Sequence, residues 1–330
     1  MCMPTLVLVC LFSGMLQLEG NIHDANKALG RGINLGNALE APRGQNWGVT
    51  IEDEYFKLIK NAGFQHIRLP VRWNDYADKN PPYAIEGDFF KKIDRLLDLA
   101  EKAGLYVVLN IHHYDELNKD PQGQTERFFE LWKQIANRYQ NQPKTLYFEL
   151  NNEPHDQLKE NEWNSILQKG LAAVRQSNPT RPVIIGPAYW NGIWALPKLK
   201  LPDDQNIIVT VHCYNPFEFT HQGATWTDPK VRNIRDRKWE GTDKELLALR
   251  KELDQAASWG KANNRPIYLG EFGAYQNAPM ESRIRWTKTM AREAETRGFS
   301  WAYWEFAAGF GVYDPSSKTW RDGLLKALIP

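Results

Sequence analysis

Residues 147–155 read YFELNNEPH, and the fold can be worked out from this stretch. The apolar and aromatic run at residues 146–150 predicts a buried strand. The run ends in two amides followed by Glu153 and Pro154, so a carboxylate closes a segment that is otherwise typical of a protein core. A polar end on a buried strand is typical of parallel barrels, whose chemistry lies at the carboxyl ends of the strands.

Similar apolar runs recur along the chain and alternate with helical patterns. Counting the first stretch there are eight such runs, namely GINLGNAL, HIRLPVRW, YVVLNIHHY, LYFELNNEP, PVIIGPAYW, IIVTVHCYNP, PIYLGEFGAY and FSWAYWEF. Thr50 with Asp53 predicts a capping box for the first helix between them, and Gly63 and Gly104 predict helix ends. Eight alternating units predict an α/β fold, a single-domain (β/α)8 TIM barrel over residues 21–330. The alternative is a doubly wound open sheet, but neither of its Gly-rich phosphate motifs occurs.

Polar and aromatic side chains stand at the end of every predicted strand. They are Asn37, Arg68, His112 with His113, Asn152 with Glu153, Tyr189 with Trp190, His212 with Tyr214, Glu271, and Trp304 with Glu305. Alternation along a strand puts His212 and Tyr214 on one face and Cys213 on the other, so Cys213 is predicted to be a small buried hydrophobe. By the same alternation Glu149 shares the face of Glu153 but lies deeper, as a structural carboxylate.

Composition excludes several classes of protein. The 330 residues carry a net charge of +1 without a basic tract, which argues against nucleic-acid binding. Thirteen tryptophans suit either core packing or a carbohydrate cleft, since sugar rings stack on flat aromatic surfaces. Metal-binding CxxC spacing is absent from the sequence, and so is the G-x-S-x-G elbow of a serine hydrolase.

The first twenty residues, MCMPTLVLVCLFSGMLQLEG, form an apolar segment with no charge before Glu19. They are expected to be a signal peptide or an attached hydrophobic segment, although no basic residue precedes the apolar run. Cys2 and Cys10 lie there, so Cys213 alone would remain after cleavage. We expect a secreted or periplasmic protein.

Two glutamates at the ends of separate strands suit glycoside hydrolysis with retention, which needs one nucleophile and one acid/base. Glu271 is expected to be ionised, with Arg68 and Tyr214 donating hydrogen bonds to it. Glu153 is expected to hold a proton near neutral pH, with His212 tuning it. The pair His112–His113 could also suggest a metal, but zinc requires more ligands in a defined arrangement.

The motif NEP at residues 152–154, with GEFG at 270–273, resembles glycoside hydrolase family 5. The resemblance is closest to the bacterial endoglucanases of that family that also accept mannans, and further motifs carry it: RGINLGNALEAP, IRLPVRW, NIHHY, YNPFEFTHQGA, RPIYLGEFGAY and AYWEFAAGFGVYD. It implies Glu153 as acid/base and Glu271 as nucleophile, supported by Arg68, His112, Asn152, His212, Tyr214 and Trp304. It further implies that Asn152 contacts the sugar 2-hydroxyl, that Trp304 stacks beneath that sugar, and that the cleft is lined by Asn37, Glu40, His113, His221, Trp226 and Glu305.

Two local features accompany the resemblance. An apolar residue is usual before the NEP asparagine, whereas Asn151 stands there. The segment between strands six and seven is long and contains His221, Trp226 and Trp239 before a helix expected at about residue 243. We expect this segment to form a wall of the substrate cleft.

The leading hypothesis is an endo-acting β-1,4-glucanase that binds a β-1,4-glucan or mannan polysaccharide. A β-1,4-mannanase or a dual glucanase/mannanase is the alternative, because glucose and mannose differ only at the 2-hydroxyl. A catalytically inactive carbohydrate-binding barrel is the alternative of another class. We expect no cofactor, no metal, no nucleic-acid partner and no stable membrane association, and we expect a monomer.

Overall fold

The computed structural model of the chain describes residues 21–330, so the predicted N-terminal hydrophobic segment lies outside the described residues. Eight parallel strands pair in chain order, and β1 also pairs with β8, which closes the sheet into a barrel. This confirms the predicted (β/α)8 barrel, and the alternative of an open doubly wound sheet is wrong. The strands are β1 (Arg31–Asn34), β2 (His66–Leu69), β3 (Tyr106–Asn110), β4 (Leu146–Glu149), β5 (Val183–Ile185), β6 (Ile207–His212), β7 (Ile267–Glu271) and β8 (Ser300–Tyr303).

Helices connect the strands along the outside of the barrel, whereas the first helix precedes β1 and the last follows β8. They are α1 (Ile22–Leu29), α2 (Glu54–Asn61), α3 (Gly87–Lys102), α4 (Asp115–Lys119), α5 (Pro121–Arg138), α6 (Glu160–Arg175), α7 (Phe217–Thr220), α8 (Pro229–Arg232), α9 (Asp243–Ala262), α10 (Met280–Thr296) and α11 (Asp322–Leu328). The sequence did not predict α1, the short helices α4, α7 and α8, or the small hairpin of β9 (Tyr313–Asp314) and β10 (Thr319–Trp320). Among residues 21–330, no helix combines the length and apolar character needed to cross a membrane.

Helix ends follow local chemistry, with one correction. Gly63 and Gly104 adopt φ values of +107° and +70° just after α2 and α3, and such left-handed residues end helices readily. The predicted capping box of Thr50 and Asp53 is wrong, because α2 begins at Glu54 and the Asp53 side chain makes no capping bond. The backbone of Asp53 is itself helical, with φ −59° and ψ −34°, whereas a capping residue is normally extended. The Asp53 carboxylate pairs with Arg95 on α3.

Both faces of the strands are buried, which explains why they read as nearly continuous apolar runs. Alternate residues such as Ile33, Leu69 and Val209 belong to the main core beneath the helices. The residues between them, including Val108 and Ile208, form a smaller cluster with Ile22 and Leu29 of α1. The two clusters are therefore the outer and inner faces of the barrel.

Helix α1 covers the end of the barrel at which the strands begin. The Asn26 amide donates to the carbonyl of Ile267 over 3.1 Å, and the Tyr147 hydroxyl donates to the carbonyl of Ala25 over 3.0 Å. Because Ile22 and Leu29 add to the inner apolar cluster, that half of the barrel interior is filled. The buried carboxylates Glu149 and Glu271, by contrast, stand at strand ends in the other half.

Candidate active site

Glu153 and Glu271 meet at the end of the barrel where the strands finish. A carboxylate oxygen of each and a ring nitrogen of His212 all lie within 4.8 Å of one another. Glu271 is the last residue of β7, whereas Glu153 follows β4, so the closure of the barrel brings the two together. Retaining glycosidases hold their two carboxyl groups about 5–5.5 Å apart, against about 6.5–9.5 Å in inverting enzymes. The spacing therefore suits retention.

Arg68 organises the polar interior through five hydrogen bonds. Its Nε and Nη2 donate to the two carboxylate oxygens of Glu149 over 2.6 and 2.9 Å. Its Nη1 donates to Asn34 Oδ1 and to Glu271 Oε1 over 2.9 and 2.7 Å, and Nη2 also donates to Asn152 Oδ1 over 2.8 Å. The guanidinium is fully buried, so it depends on these carboxylates to offset the loss of hydration.

Two donors hold Glu271 in an orientation suited to an ionised carboxylate. Arg68 bonds Oε1, and the Tyr214 hydroxyl donates to Oε2 over 2.8 Å. Burial raises the pKa of Glu271, while His212, Arg68 and the Tyr214 bond oppose that rise. Burial also raises the pKa of Tyr214 well above its ordinary value, so the phenol keeps its proton and remains a donor.

Glu153 has a different environment from Glu271. Its side chain keeps 22% of its surface exposed, against 6% for Glu271, so a leaving group or water can reach it. Burial within the site raises the pKa of Glu153 to about 7. His212 Nδ1 lies 2.7 Å from Glu153 Oε1, and burial lowers the pKa of His212 to about 4. The imidazole beside Glu153 is therefore neutral at neutral pH, and Glu153 is able to hold a proton.

The three residues His112, His113 and Trp304 form one wall of the site. The His112 and Trp304 rings stack with centroids 5.7 Å apart and planes 8° apart, and His113 lies edge-on to His112 at 4.5 Å. Burial lowers the pKa of His112 well below its ordinary value and that of His113 to about 4. Partly buried Trp304 thus stacks on one neutral imidazole, that of His112, and Trp47 extends this wall 5.6 Å from His113.

The two adjacent asparagines that precede Glu153 are both held within the protein. Asn152 Oδ1 accepts from Arg68, which leaves the amide nitrogen of Asn152 as its donor toward a ligand. Asn151, at the position that departs from the usual pattern, is buried and donates from Nδ2 to the backbone carbonyl of Asn152 over 2.7 Å. A polar residue there is therefore satisfied locally and fixes the backbone just before Glu153.

The segment between β6 and β7 lies beside the site, at the position predicted for a cleft wall. The His221 ring lies 4.9 Å from Tyr214, and burial lowers the pKa of His221 to about 3. Trp226 is 61% exposed and contacts the Tyr275 ring edge-on at 5.0 Å. The Tyr275 amide donates to the carbonyl of Thr220 over 2.7 Å, which joins this segment to the loop after β7.

Three of the predicted cleft residues lie in the loops that follow β1 and β8. Asn37 is half-buried with φ +62°. In contrast to the prediction that they line the cleft, the side chains of Glu40 and Glu305 are fully buried behind it. Glu40 accepts from the backbone amides of Asn37 and Ala38, and Glu305 from those of Ala307, Ala308 and Phe310. Burial raises the pKa of both to about 7, and both carboxyls order the loops at the rim.

Sequence reasoning missed several contributors. Asn34 bonds Arg68 from the end of β1, and alternation along that short strand would have placed its side chain inside. Trp190, noted only as a strand end, is 52% exposed and stacks on His155 at 5.0 Å. His155 Nδ1 in turn lies 2.6 Å from the backbone carbonyl of Glu153, so this aromatic pair borders the proposed acid/base.

The group of Glu153, His212 and Glu271 also has the spacing of a metal site among the described residues. Its donor atoms are already engaged, however, since both Glu271 oxygens accept hydrogen bonds and His212 Nδ1 is bonded to Glu153. A cation there would also lie beside the buried Arg68 guanidinium and be repelled by it. The donor set therefore suits proton transfer and nucleophilic attack better than metal binding.

Known proteins are similar to this chain in both sequence and fold. Endoglucanase H of Acetivibrio thermocellus is 34% identical over 92% of this chain, which spans about a third (33%) of that protein. Endoglucanase 3 of Fibrobacter succinogenes is 28% identical over 92% of the chain, which spans about half (53%) of it. Cel5A of Thermotoga maritima, solved with cellobiose and with mannotriose, is 52% identical over 94% of this chain and all of the solved chain, with a TM-score of 0.91.

A family profile gives the same result over most of the chain. The profile described as Cellulase (glycosyl hydrolase family 5) matches residues 26–309, which run from α1 to the loop after β8. The match includes both glutamates of the site. The chain therefore belongs to glycosyl hydrolase family 5.

Proposed function

We propose that the chain hydrolyses internal β-1,4 linkages of glucans and retains the configuration at the anomeric carbon. The observation that carries this proposal is the pair of carboxylates, Glu153 and Glu271, within 4.8 Å of each other and in unlike environments. Glu271 is bound by two donors and is the more buried, whereas Glu153 is more exposed and has a pKa raised to about 7. Two carboxyl groups at this distance and in such different environments supply a nucleophile and a general acid.

In the first step, a Glu271 carboxylate oxygen attacks the anomeric carbon as the bond to the leaving oxygen breaks. Glu153 gives its proton to that oxygen, so the leaving sugar departs as a neutral alcohol. Arg68 and Tyr214 hold the attacking carboxylate in place and share its charge. The product of this step is a glycosyl ester on Glu271 and an ionised Glu153.

In the second step, Glu153 acts as a base. It takes a proton from a water molecule, the water oxygen bonds to the anomeric carbon, and the ester bond to Glu271 breaks. Glu271 is ionised again and Glu153 is protonated again, which restores the starting state. Two displacements on opposite faces of the sugar give overall retention.

Exposed aromatic side chains around the mouth support binding of a polymer. Trp47 extends the wall of His113, Trp190 borders the Glu153 backbone through His155, and Trp226 stands on the β6–β7 segment. Flat rings in three places around the carboxylates suit sugar units on both sides of the cleaved bond. This arrangement favours attack within a chain over attack at its end.

A second substrate class is β-1,4-mannan. Cel5A of Thermotoga maritima was solved with mannotriose as well as cellobiose and is 52% identical to this chain. Glucose and mannose differ at the 2-hydroxyl, the group that the Asn152 amide is proposed to contact. We propose that the site accepts both configurations.

The test is release of reducing sugar from carboxymethyl-cellulose and from β-1,4-mannan, run in parallel. The matched control is Glu153→Gln, which keeps the shape of the side chain but lacks the proton. Activity on both polymers supports the dual proposal, and activity on one alone names the substrate. A folded wild-type protein that is silent on both would overturn the proposal and favour the inactive carbohydrate-binding barrel.

Export and a monomeric state belong to the same proposal. A polysaccharide too large to cross a membrane has to be met outside the cell, which supports secretion or a periplasmic location. Fractionation of the source cells with mass spectrometry of the N-terminus tests export and cleavage within residues 1–20. Light scattering of the purified protein tests whether it is a monomer.

A further inference from the structure

The chain makes an unusual turn in the loop that follows β5. Tyr189, Trp190 and Asn191 have φ values of +64°, +56° and +54°, a backbone region that side chains other than glycine adopt rarely. The Trp190 amide donates to the carbonyl of Pro154 over 3.2 Å, and the Asn191 carbonyl accepts from the His212 amide over 3.0 Å. The turn is thus tied to the segments that carry Glu153 and His212.

Two consecutive side chains of this turn differ in burial, since one lies at the surface and the other in the interior. Trp190 is 52% exposed on His155, whereas Asn191 is fully buried beneath His212. Asn191 Nδ2 lies 3.3 Å from His212 Nε2. On the other side of the ring, His212 Nδ1 lies 2.7 Å from Glu153 Oε1 and 3.7 Å from Glu271 Oε2.

These contacts select one form of the imidazole. Glu271 is ionised and accepts hydrogen bonds, and Glu153 has to keep its proton on Oε2 for the leaving group, so its Oε1 also accepts. Nδ1, which meets both accepting oxygens, therefore carries the ring proton. Nε2 then offers its lone pair to the Asn191 amide N–H. In an imidazolium both ring nitrogens would be donors, and the one at Nε2 would meet another donor.

We propose that Asn191 is a positioning residue, which holds His212 as the neutral tautomer protonated on Nδ1. The inference rests on the proposed function, because its effect is exerted on Glu153 as the general acid. A cationic His212 would pair with Glu153 and favour loss of the proton that Glu153 has to donate. The charged and titratable groups around His212 are Glu153, Glu271, Arg68, Glu149 and His112.

Packing keeps the Asn191 side chain in this place. A methyl group added at Gly186 would lie 2.2 Å from Asn191 Oδ1, so a glycine is required there. Asn191 Oδ1 and the nearby Thr210 Oγ1 are buried without a hydrogen-bond partner in the described structure. Burial that leaves oxygens unpaired is costly, so the position of Asn191 calls for an explanation beyond packing.

The first experiment is Asn191→Asp, which keeps the size of the side chain and tolerates a positive φ. A carboxylate at Nε2 accepts a hydrogen bond from the ring, so it favours a protonated Nε2 and hence the imidazolium. The cationic ring in turn lowers the pKa of Glu153. We expect the alkaline limb of kcat/KM on β-glucan to move down by about one pH unit. At pH 7, hydrolysis of β-glucan should fall about fivefold, while that of 2,4-dinitrophenyl β-cellobioside, whose leaving group needs no acid, should stay within about twofold.

The matched control is Asn264→Asp. Asn264 also has a positive φ, of +51°, and its Oδ1 lies 3.2 Å from a ring nitrogen of His23, but it is exposed at the far end of the barrel. It should leave both substrates and the pH profile unchanged. An Asn191→Asp profile that coincides with this control would overturn the proposal, and so would an equal loss on both substrates, because that indicates a merely structural role.

A second measurement does not depend on a buried carboxylate being tolerated. In protein labelled with 15N-histidine, the wild type should show His212 with a protonated Nδ1 and an unprotonated Nε2. In Asn191→Gly, which suits the positive φ, we expect a mixture of tautomers. A wild-type ring protonated on Nε2 would mean that the Asn191 amide is turned over and would refute the proposal. These spectra do not need turnover, so failure of the proposed function would be recognised separately, by an inactive wild type.

Discussion

Arg68 Nη1 lies 2.7 Å from Glu271 Oε1, and the Arg68 side chain has no exposed surface. The guanidinium also bonds both oxygens of Glu149, so it is fixed from inside the barrel. The proposed nucleophile thus receives its position and part of its charge stabilisation from a residue that substrate never needs to touch. The charge on Glu271 is thus stabilised by residues of the barrel interior as well as by residues of the cleft.

Arg68→Lys should therefore damage both activity and stability. Lysine keeps the charge but has no planar fork, so it cannot bond Glu149, Glu271 and Asn152 together. We expect kcat/KM to fall about a hundredfold or more and the free energy of unfolding to fall by about 3 kcal/mol. Urea denaturation and kinetics on an aryl cellobioside measure the two effects. Arg95→Lys, at an exposed ion pair, is the control and should change neither; wild-type kinetics in Arg68→Lys would contradict the role of the guanidinium.

Azide should reveal which carboxylate is the nucleophile. In Glu271→Ala, azide fills the space of the lost carboxylate and attacks an activated aryl glycoside once, which gives the α-glycosyl azide. In Glu153→Ala, azide replaces water in the second displacement and gives the β-glycosyl azide. Proton NMR of the products distinguishes the two. Products of the opposite configuration would reverse the assignment, and a variant of Glu153 that still cleaves polymer at the wild-type rate would remove it.

The pH dependence follows from the two carboxyl groups. Glu153 has to be protonated in the first step and its pKa is raised to about 7, so kcat/KM on β-glucan should fall as pH rises above about 7. Glu271 has to be ionised, so activity should also fall as pH drops through its raised pKa. Initial rates between about pH 4 and pH 9 should be bell-shaped. On 2,4-dinitrophenyl β-cellobioside, whose leaving group needs no acid, the wild type should keep the acidic limb and lose the alkaline one. An alkaline limb that persists there would assign it to another group.

Trp226→Ala tests the wall formed by the β6–β7 segment. Loss of an exposed ring that stacks on sugar should weaken oligosaccharide binding about fivefold to tenfold. Because the ring is remote from the proton transfers, kcat on a short aryl glycoside should hardly change. Isothermal titration with cello-oligosaccharides in a Glu153→Gln background measures the affinity. The matched control is Leu247→Ala, which shortens an exposed apolar side chain on α9. Equal affinities in both variants would show that Trp226 does not bind the oligosaccharide.

The strands were predictable because a strand that is buried on both faces consists mostly of apolar residues, which can be recognised in the sequence. Alternation within β6 was enough to place His212 on the site face and Cys213, which is buried, on the other. Glu149 was likewise correctly placed as a deeper carboxylate, since every second residue of a strand shares a face. These predictions needed only the period of the backbone.

Features that depend on contacts between distant segments were not predictable in this way. The capping box at Thr50 and Asp53 fitted the local pattern, yet α2 begins only at Glu54 and the Asp53 carboxylate pairs with Arg95 on α3. Nothing near Glu40 in sequence showed that its carboxylate would turn inward to bind two backbone amides. Asn191 escaped notice because its importance arises from a left-handed turn that brings it beneath His212.

Helix α1 closes the end of the barrel interior at which the strands begin. Ile22 and Leu29 complete the apolar filling of the barrel beneath the carboxylates, so solvent does not approach Glu271 from that side. In the proposed reaction, the water that releases the sugar from Glu271 has to arrive through the opening by which the first product leaves. A first product that leaves slowly keeps water out of this opening. The lifetime of the covalent intermediate would then depend on how fast the first product leaves and how fast water enters. If another sugar reached the intermediate before water, its hydroxyl would replace water in the second step and a longer chain would form.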